Sequence, residues 1–396
     1  MKYKQDTFIW SENWWIEGDN AWFIEGGCNI LFCVNLRTQE CEEAIDIPDT
    51  CSNKYKLTPY CIKHGNVIFC IPGIGQYIWV YHLEDRLFSR IVLDKQEEMQ
   101  WAVEIWKWRD AIFLVLDRLN KIIELDAVEG RITNSYTICD TSIVRSTMAE
   151  DSIFLLSSES DMIYRFECDS KHVKTYKLPD IGKKYFNISF DGEIFWLSGY
   201  GKEVYTWNQA NNCLTVLDQF PENFIVYDHI SVLDGELEHN EMPTFFYVKV
   251  VGKYVWFIPT QANKIIYVDR SSGIVNVFEI YGENDTKGSV LSWTEGLFQY
   301  LWEYVREDRF IGLFSAENNR IVEIDTEKME YQWKDYCISN KCIQQCSRIF
   351  NGIYVEGTML HYKLYQERLQ ILDYTGGSMS NSIGREIFKS LQKEST

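Results

Sequence analysis

The residues of this chain with most chemistry to offer sit in short polar turns at 25–29, 72–76, 117–120, 157–161, 198–202, 260–263 and 315–319. Within them Asp117, Arg118, Glu159, Tyr200, Lys202, Gln261 and Glu317 make a mixed set of carboxylates, cations, a phenol and an amide. Carboxylates such as Asp117 or Glu159, paired with Tyr200 or Lys202, are the types that move protons in a lyase or hydrolase acting on a polar or saccharide substrate. Without chemistry, the same groups suit a polar small molecule or a peptide. The plainer reading is hairpin chemistry: Asn precedes Lys or Arg at Asn120-Lys121, Asn263-Lys264 and Asn319-Arg320, and Asn and Gly are the residues that tolerate positive φ.

Other catalytic and cofactor patterns are missing. The spacing Cys337-x4-Cys342-x3-Cys346 lacks the tight pairs of a structural zinc site, and His229 with His239 in an acidic stretch is no stronger, so no metal is expected. No Gly-x-Ser-x-Gly elbow, P-loop or Gly-rich turn opening a helix occurs, so no cofactor is expected either.

Charge narrows the partners. A formal charge of −19 with no basic stripe argues against nucleic acid and against an acidic membrane surface. No apolar run approaches the roughly 20 residues that span a bilayer. The first ten residues mix charged and aromatic side chains where a secretory leader would be plainly apolar, which predicts a cytoplasmic protein; a mature extracellular form with its leader removed stays open. Cys33, Cys61, Cys70 and Cys139 lie in apolar surroundings and read as reduced, buried thiols among the twelve cysteines.

The elements that position the turns form a repeat. Tyr254–Ile258 is an apolar strand closed by Pro259, Lys264–Val268 a second, and Ile274–Ile280 a third that follows a turn entered at Asp269. Variants recur with anchors at Asn35, Tyr81, Asp126, Glu167, Asn208, Asp269, Asp325 and Asp373, in steps of 46, 45, 41, 41, 61, 56 and 48 residues. Four short strands with their turns need about 40 to 50 residues, the length of one radial sheet in a ring of such sheets. Innermost strands are expected at 14–17, 60–63, 103–107, 145–149, 187–190, 245–250, 301–305 and 346–350, and residues 4–10 could complete the last sheet and close the ring.

On these repeats the chain resembles the broad class of β-propeller proteins. It carries neither the Gly-His and Trp-Asp pairs of WD40 blades nor the paired glycines of kelch blades, so no family's functional residues can be transferred. The resemblance implies an all-β fold, a closed propeller of four-stranded antiparallel blades over residues 1–396, with eight blades by repeat count and seven as the alternative. It also implies ligands at the mouth of the central channel. Ile383, Ile387, Phe388 and Leu391 share one face of a short amphipathic helix expected at 382–393. Two long units, at 223–243 and 281–300, are candidate contacts for a protein or peptide partner. Two function classes therefore compete: a non-catalytic binding scaffold, and an enzyme or small-ligand sensor using the channel mouth.

Overall fold

The computed structural model describes residues 11, 13–25, 29–48, 60–73, 77–93, 102–116, 120–157, 161–179, 184–200, 203–226, 230–233, 236–239, 243–259, 262–280, 300–315 and 320–334. Within them the chain forms seven four-stranded antiparallel sheets, each built from strands consecutive in sequence: blades 1 to 7, at 14–46, 60–92, 102–137, 143–177, 185–217, 245–278 and 300–334. The inner strands are Trp14–Glu17, Tyr60–His64, Ala102–Trp108, Ile143–Ala149, Tyr185–Phe190, Phe245–Val251 and Tyr300–Arg306. A two-stranded hairpin, Ile230–Leu233 with Glu236–His239, stands between blades 5 and 6 in the first long insert.

Why the strands read as continuous apolar runs is visible in the packing. In Ala111–Leu116, the second strand of blade 3, Ile112 and Leu114 face blade 2 while Phe113 and Val115 face blade 4. A strand buried on both faces needs no polar alternation. Every neighbouring pair of blades encloses one such apolar cluster.

One of those clusters decides between the two blade counts that the repeats left open. Trp14, Phe23 and Phe32 of blade 1 pack directly on Tyr304, Phe314 and Ile321 of blade 7, so the ring closes at seven blades and not eight. Trp14 stacks on Tyr304 with ring centroids 5.4 Å apart. Among the described residues, blades 1 and 7 each own four consecutive strands, and side-chain packing joins the two. Residues 4–10, the eighth unit around Asp373 and the helix at 382–393 lie outside the described residues.

The anchors mark the turn between the third and outer strands. At Asn35, Asp126, Asp269 and Asp325 the side-chain oxygen accepts the backbone N–H groups two and three residues on. The residue four positions beyond the anchor takes positive φ in every blade: Gln39, Arg86, Gly130, Lys171, Asn212, Gly273 and Met329. This shows that the second anchor is His82, whose carbonyl accepts the Arg86 N–H at 2.9 Å, and not Tyr81. The sequence signal was chemical for Asp and Asn and only positional for His82, which explains the slip by one.

Asp325 is the most strongly held anchor. Arg309 donates Nε to Oδ1 at 2.9 Å and Nη2 to Oδ2 at 2.6 Å, and this pairing above all lowers the carboxyl to about 2. A carboxyl lowered on folding contributes stability above its unfolded value of about 3.9 and loses it as pH falls toward the folded value. Asp325→Asn is therefore expected to be less stable than the parent in urea at neutral pH, with the gap closing between about pH 4 and pH 2; a gap that is constant across that window would refute the assignment.

Among the described residues no helix is long and apolar enough to cross a membrane. Cys33, Cys61, Cys70 and Cys139 are buried free thiols, and burial pushes those of Cys61, Cys70 and Cys139 up.

Candidate functional site

The seven inner strands surround a lumen of about 750 Å³, to which every blade contributes at least one residue. Five of these strands, in blades 3 to 7, carry a β-bulge near their start. A bulge breaks the period of two in side-chain direction. The successive residues Val144 and Arg145, Phe186 and Asn187, and Phe246 and Tyr247 lie at or next to these bulges and line the lumen.

Several polar side chains pin one inner strand to the next. Asn13 donates Nδ2 to the Cys61 carbonyl at 2.7 Å and accepts the Cys61 N–H at 2.9 Å. Trp106 Nε1 donates to Ser146 Oγ at 2.8 Å, and Asn187 Nδ2 to the Phe245 carbonyl at 2.6 Å. The wall of the lumen is thus preorganised by bonds between blades.

Among the described residues four charged side chains line this space: Glu104 from blade 3, Arg145 from blade 4, Lys249 from blade 6 and Glu303 from blade 7. Lys249 Nζ lies 2.7 Å from Glu303 Oε1, and the two side chains keep 35% and 13% of their surface open. Burial pulls the Lys249 ammonium down, but Glu303 and Glu104 outweigh it and hold it above its ordinary range. Burial pushes the Glu104 carboxyl up, against the pull of Lys249 and Arg145, and Glu303 adds to the rise. Glu104 makes no hydrogen bond or ion pair among the described residues.

Arg145 is held differently. Its guanidinium lies 5.0 Å from the Phe186 ring centroid and 4.7 Å from that of Phe246, two rings that are themselves 5.7 Å apart. Among the described residues no carboxylate lies within ion-pair distance of it, and its one hydrogen bond goes to the neighbouring Val144 carbonyl at 3.3 Å. A cation seated on aromatic rings is oriented without being neutralised.

Of the residues singled out in the sequence, Tyr200 is described and the other six, Asp117, Arg118, Glu159, Lys202, Gln261 and Glu317, lie outside the described residues. Tyr200 sits at the rim, its ring edge-on to Phe186 at 6.0 Å. The turns that carry the set connect second to third strands, at the end of the ring where the inner strands begin. Leu116, at the edge of turn 117–120, pairs with both Ala102 and Lys121. The first long insert roots at the same end, where Ile225 and Asn263 exchange hydrogen bonds at 2.9 and 3.0 Å.

The loop residues did not point to Glu104, Arg145, Lys249 and Glu303. The signal for them is their position: all four fall in expected inner strands, the elements that line the lumen. No cluster of three metal-ligating side chains forms among the described residues.

No protein-family model matches the chain, and neither does any curated protein sequence. Solved structures do resemble it. Virginiamycin B lyase from Staphylococcus aureus shares 14% identity with a TM-score of 0.55, over 80% of this chain and 94% of the other. A catalytically inactive variant of that lyase, solved with quinupristin, gives 14% and 0.54 over 81% and 95%. PorZ, a surface component of the type-IX secretion system of Porphyromonas gingivalis, gives 10% and 0.51 over 84% of this chain and 39% of its own. At such identities the likeness shows a common fold, and that fold is the β-propeller.

Proposed function

We propose that this protein binds a polar small molecule in the lumen of its propeller, entering from the end that carries Tyr200 and the first insert. The observation that carries this reading is the quartet Glu104, Arg145, Lys249 and Glu303, brought from four blades to one cavity of about 750 Å³. Such a volume suits a small organic ligand, and a few convergent polar groups in a concave, partly apolar wall are what fix a ligand's orientation. Titratable groups perturbed by burial and by each other point the same way. A cytoplasmic setting belongs to the proposal and draws support from the buried free thiols.

The expectation of a protein or peptide partner rests on the two long units: 223–243, which carries the hairpin Ile230–Leu233 with Glu236–His239, and 281–300, of which all but Tyr300 lies outside the described residues. Among the described residues, exposed large apolar side chains such as Leu87, Val128 and Ile274 are distributed over blades 2, 3 and 6.

One observation favours an enzymatic second reading. A carboxyl held protonated more readily than usual, as Glu104 is, suits a general acid or base. A lyase is among the proteins with this fold, which is an analogy of fold only.

Native mass spectrometry of protein purified from its own cells tests the proposal. A mass excess lost on denaturation is expected, absent from Lys249→Ala and Arg145→Ala but retained when the hairpin 230–239 is deleted. An excess that follows the hairpin and ignores the lumen variants would overturn it in favour of the surface. Turnover of the released molecule that Glu104→Gln stops, with binding kept, would establish the second reading.

A further inference from the structure

Resting on the lumenal reading above, we infer that the ligand is a small organic monocarboxylate, received by the guanidinium of Arg145 and accompanied into the lumen by a proton.

The argument begins with what Arg145 lacks. An arginine turned into a protein interior is ordinarily met by a carboxylate, because its five donors match paired oxygens. Here neither lumenal carboxylate reaches it at ion-pair distance: Glu303 is taken by Lys249 at 2.7 Å, and Glu104, which feels Arg145 only through space, makes no ion pair among the described residues. The rings of Phe186 and Phe246 hold the guanidinium at 5.0 and 4.7 Å and leave its donors unclaimed apart from one bond of 3.3 Å to Val144. An oriented guanidinium with open donors is a receptor for a planar, two-oxygen anion.

Charge balance limits that anion to one negative charge. With all four groups ionised the quartet sums to zero, and a proton on Glu104 leaves a single positive charge to be met. A phosphate dianion would set a second negative charge beside Glu104 and Glu303, and an ammonium would face Arg145 and Lys249. The protein as a whole carries −19, so selection for an anion has to come from this local geometry and not from the field outside.

The proton follows from the same groups. Glu104 feels Lys249, Arg145 and Glu303, and burial already favours its neutral form. Bringing a carboxylate to Arg145 offsets one of the cations that kept Glu104 ionised, so binding draws a proton onto it. Affinity should therefore rise as the pH falls through the titration of Glu104.

Titration calorimetry of the full chain with benzoate, benzamide, benzylamine and inorganic phosphate tests this. Benzoate alone is expected to bind, with proton uptake revealed by comparing buffers of different ionisation enthalpy. Arg145→Lys keeps the charge and loses the fork, and should weaken benzoate on the order of tenfold or more. Glu104→Gln should still bind benzoate but without the pH dependence, which keeps the test valid if Arg145→Lys proves unstable in a thermal melt.

Tighter binding of benzamide, benzylamine or phosphate would overturn the inference, as would benzoate affinity indifferent to Arg145→Lys or unchanged with pH. Failure of all four probes while the native protein still shows a lumen-dependent mass excess removes the carboxylate and leaves the lumenal reading standing. Failure of both removes the two together.

Discussion

Glu323→Gln is expected to destabilise the protein by about 3–5 kcal/mol, the scale seen when one partner of a buried ion cluster is removed. The Glu323 side chain has no exposed surface and accepts hydrogen bonds on both oxygens. Tyr304 Oη donates at 2.8 Å and Arg306 Nε at 3.1 Å to Oε2; Arg306 Nη2 at 3.0 Å, Lys334 at 2.6 Å and Gln332 at 3.2 Å approach Oε1. Removing the charge leaves two cations facing each other, with side chains only 15% and 6% exposed. Lys334 also reaches the Leu36 carbonyl of blade 1, so the cluster sits where the ring closes.

Two controls separate this from ordinary loss of packing. Replacing Glu323, Arg306 and Lys334 together by apolar residues of similar size should recover most of the loss, since the desolvation cost of all three charges disappears with them. The carboxyl is held below its usual range: burial opposes ionisation, but Arg306 and Lys334 outweigh it. Its contribution is therefore present above an unfolded value of about 4.3 and lost as the pH falls, a component that Glu323→Gln should lack. Equal urea midpoints for parent and Glu323→Gln at neutral pH would sink the idea.

Gly312→Ala should have an effect of similar size by a steric route. Gly312 lies directly across from Tyr304 in blade 7, and a Cβ there would stand 2.1 Å from two carbons of the Tyr304 ring and 2.6 Å from a third. The ring cannot yield cheaply, because it is stacked on Trp14 of blade 1 and its hydroxyl bonds Glu323. Overpacking of this kind costs about 1–3 kcal/mol, and the lost hydroxyl bond to a charged group adds about 1.5–3 kcal/mol. In Tyr304→Leu, which already lacks ring and hydroxyl, adding Gly312→Ala should cost far less. Additive losses in that double-mutant cycle would show that the glycine is needed for another reason.

Both effects converge on the junction of blades 1 and 7, where the ring closes at seven blades, the alternative to the eight repeats counted along the sequence. Around Asp373 the sequence repeats an Asp-entered turn after an apolar run, and by composition that qualifies as another blade. A sequence pattern registers the chemistry of a turn but not whether room remains in a ring. That is set by the packing of Trp14 and Phe23 on Tyr304 and Phe314, contacts between residues nearly 300 positions apart.

Local order was legible for the opposite reason. Strand identity, the order of strands within a blade and the start of each outer hairpin follow from neighbouring residues: β-branched and aromatic runs, and Asn or Asp oxygens that bond their own backbone two and three residues on. The inner strands expected at 145–149, 187–190 and 245–250 fall inside Ile143–Ala149, Tyr185–Phe190 and Phe245–Val251. What the expectation lacked at each start was the bulge, which depends on the partner strand.

The lumen lay beyond that reach. Glu104, Arg145, Lys249 and Glu303 are separated by tens of residues in the chain, and each alone looks like a solvated charge on a strand. Sequence by itself determined that these strands are inner ones and that the repeat is a propeller, because both follow from local pattern and period. Only the tertiary structure decided that the ring holds seven blades and that four charges from four of them share one cavity, because closure and convergence are properties of the packed ring and not of any repeat within it.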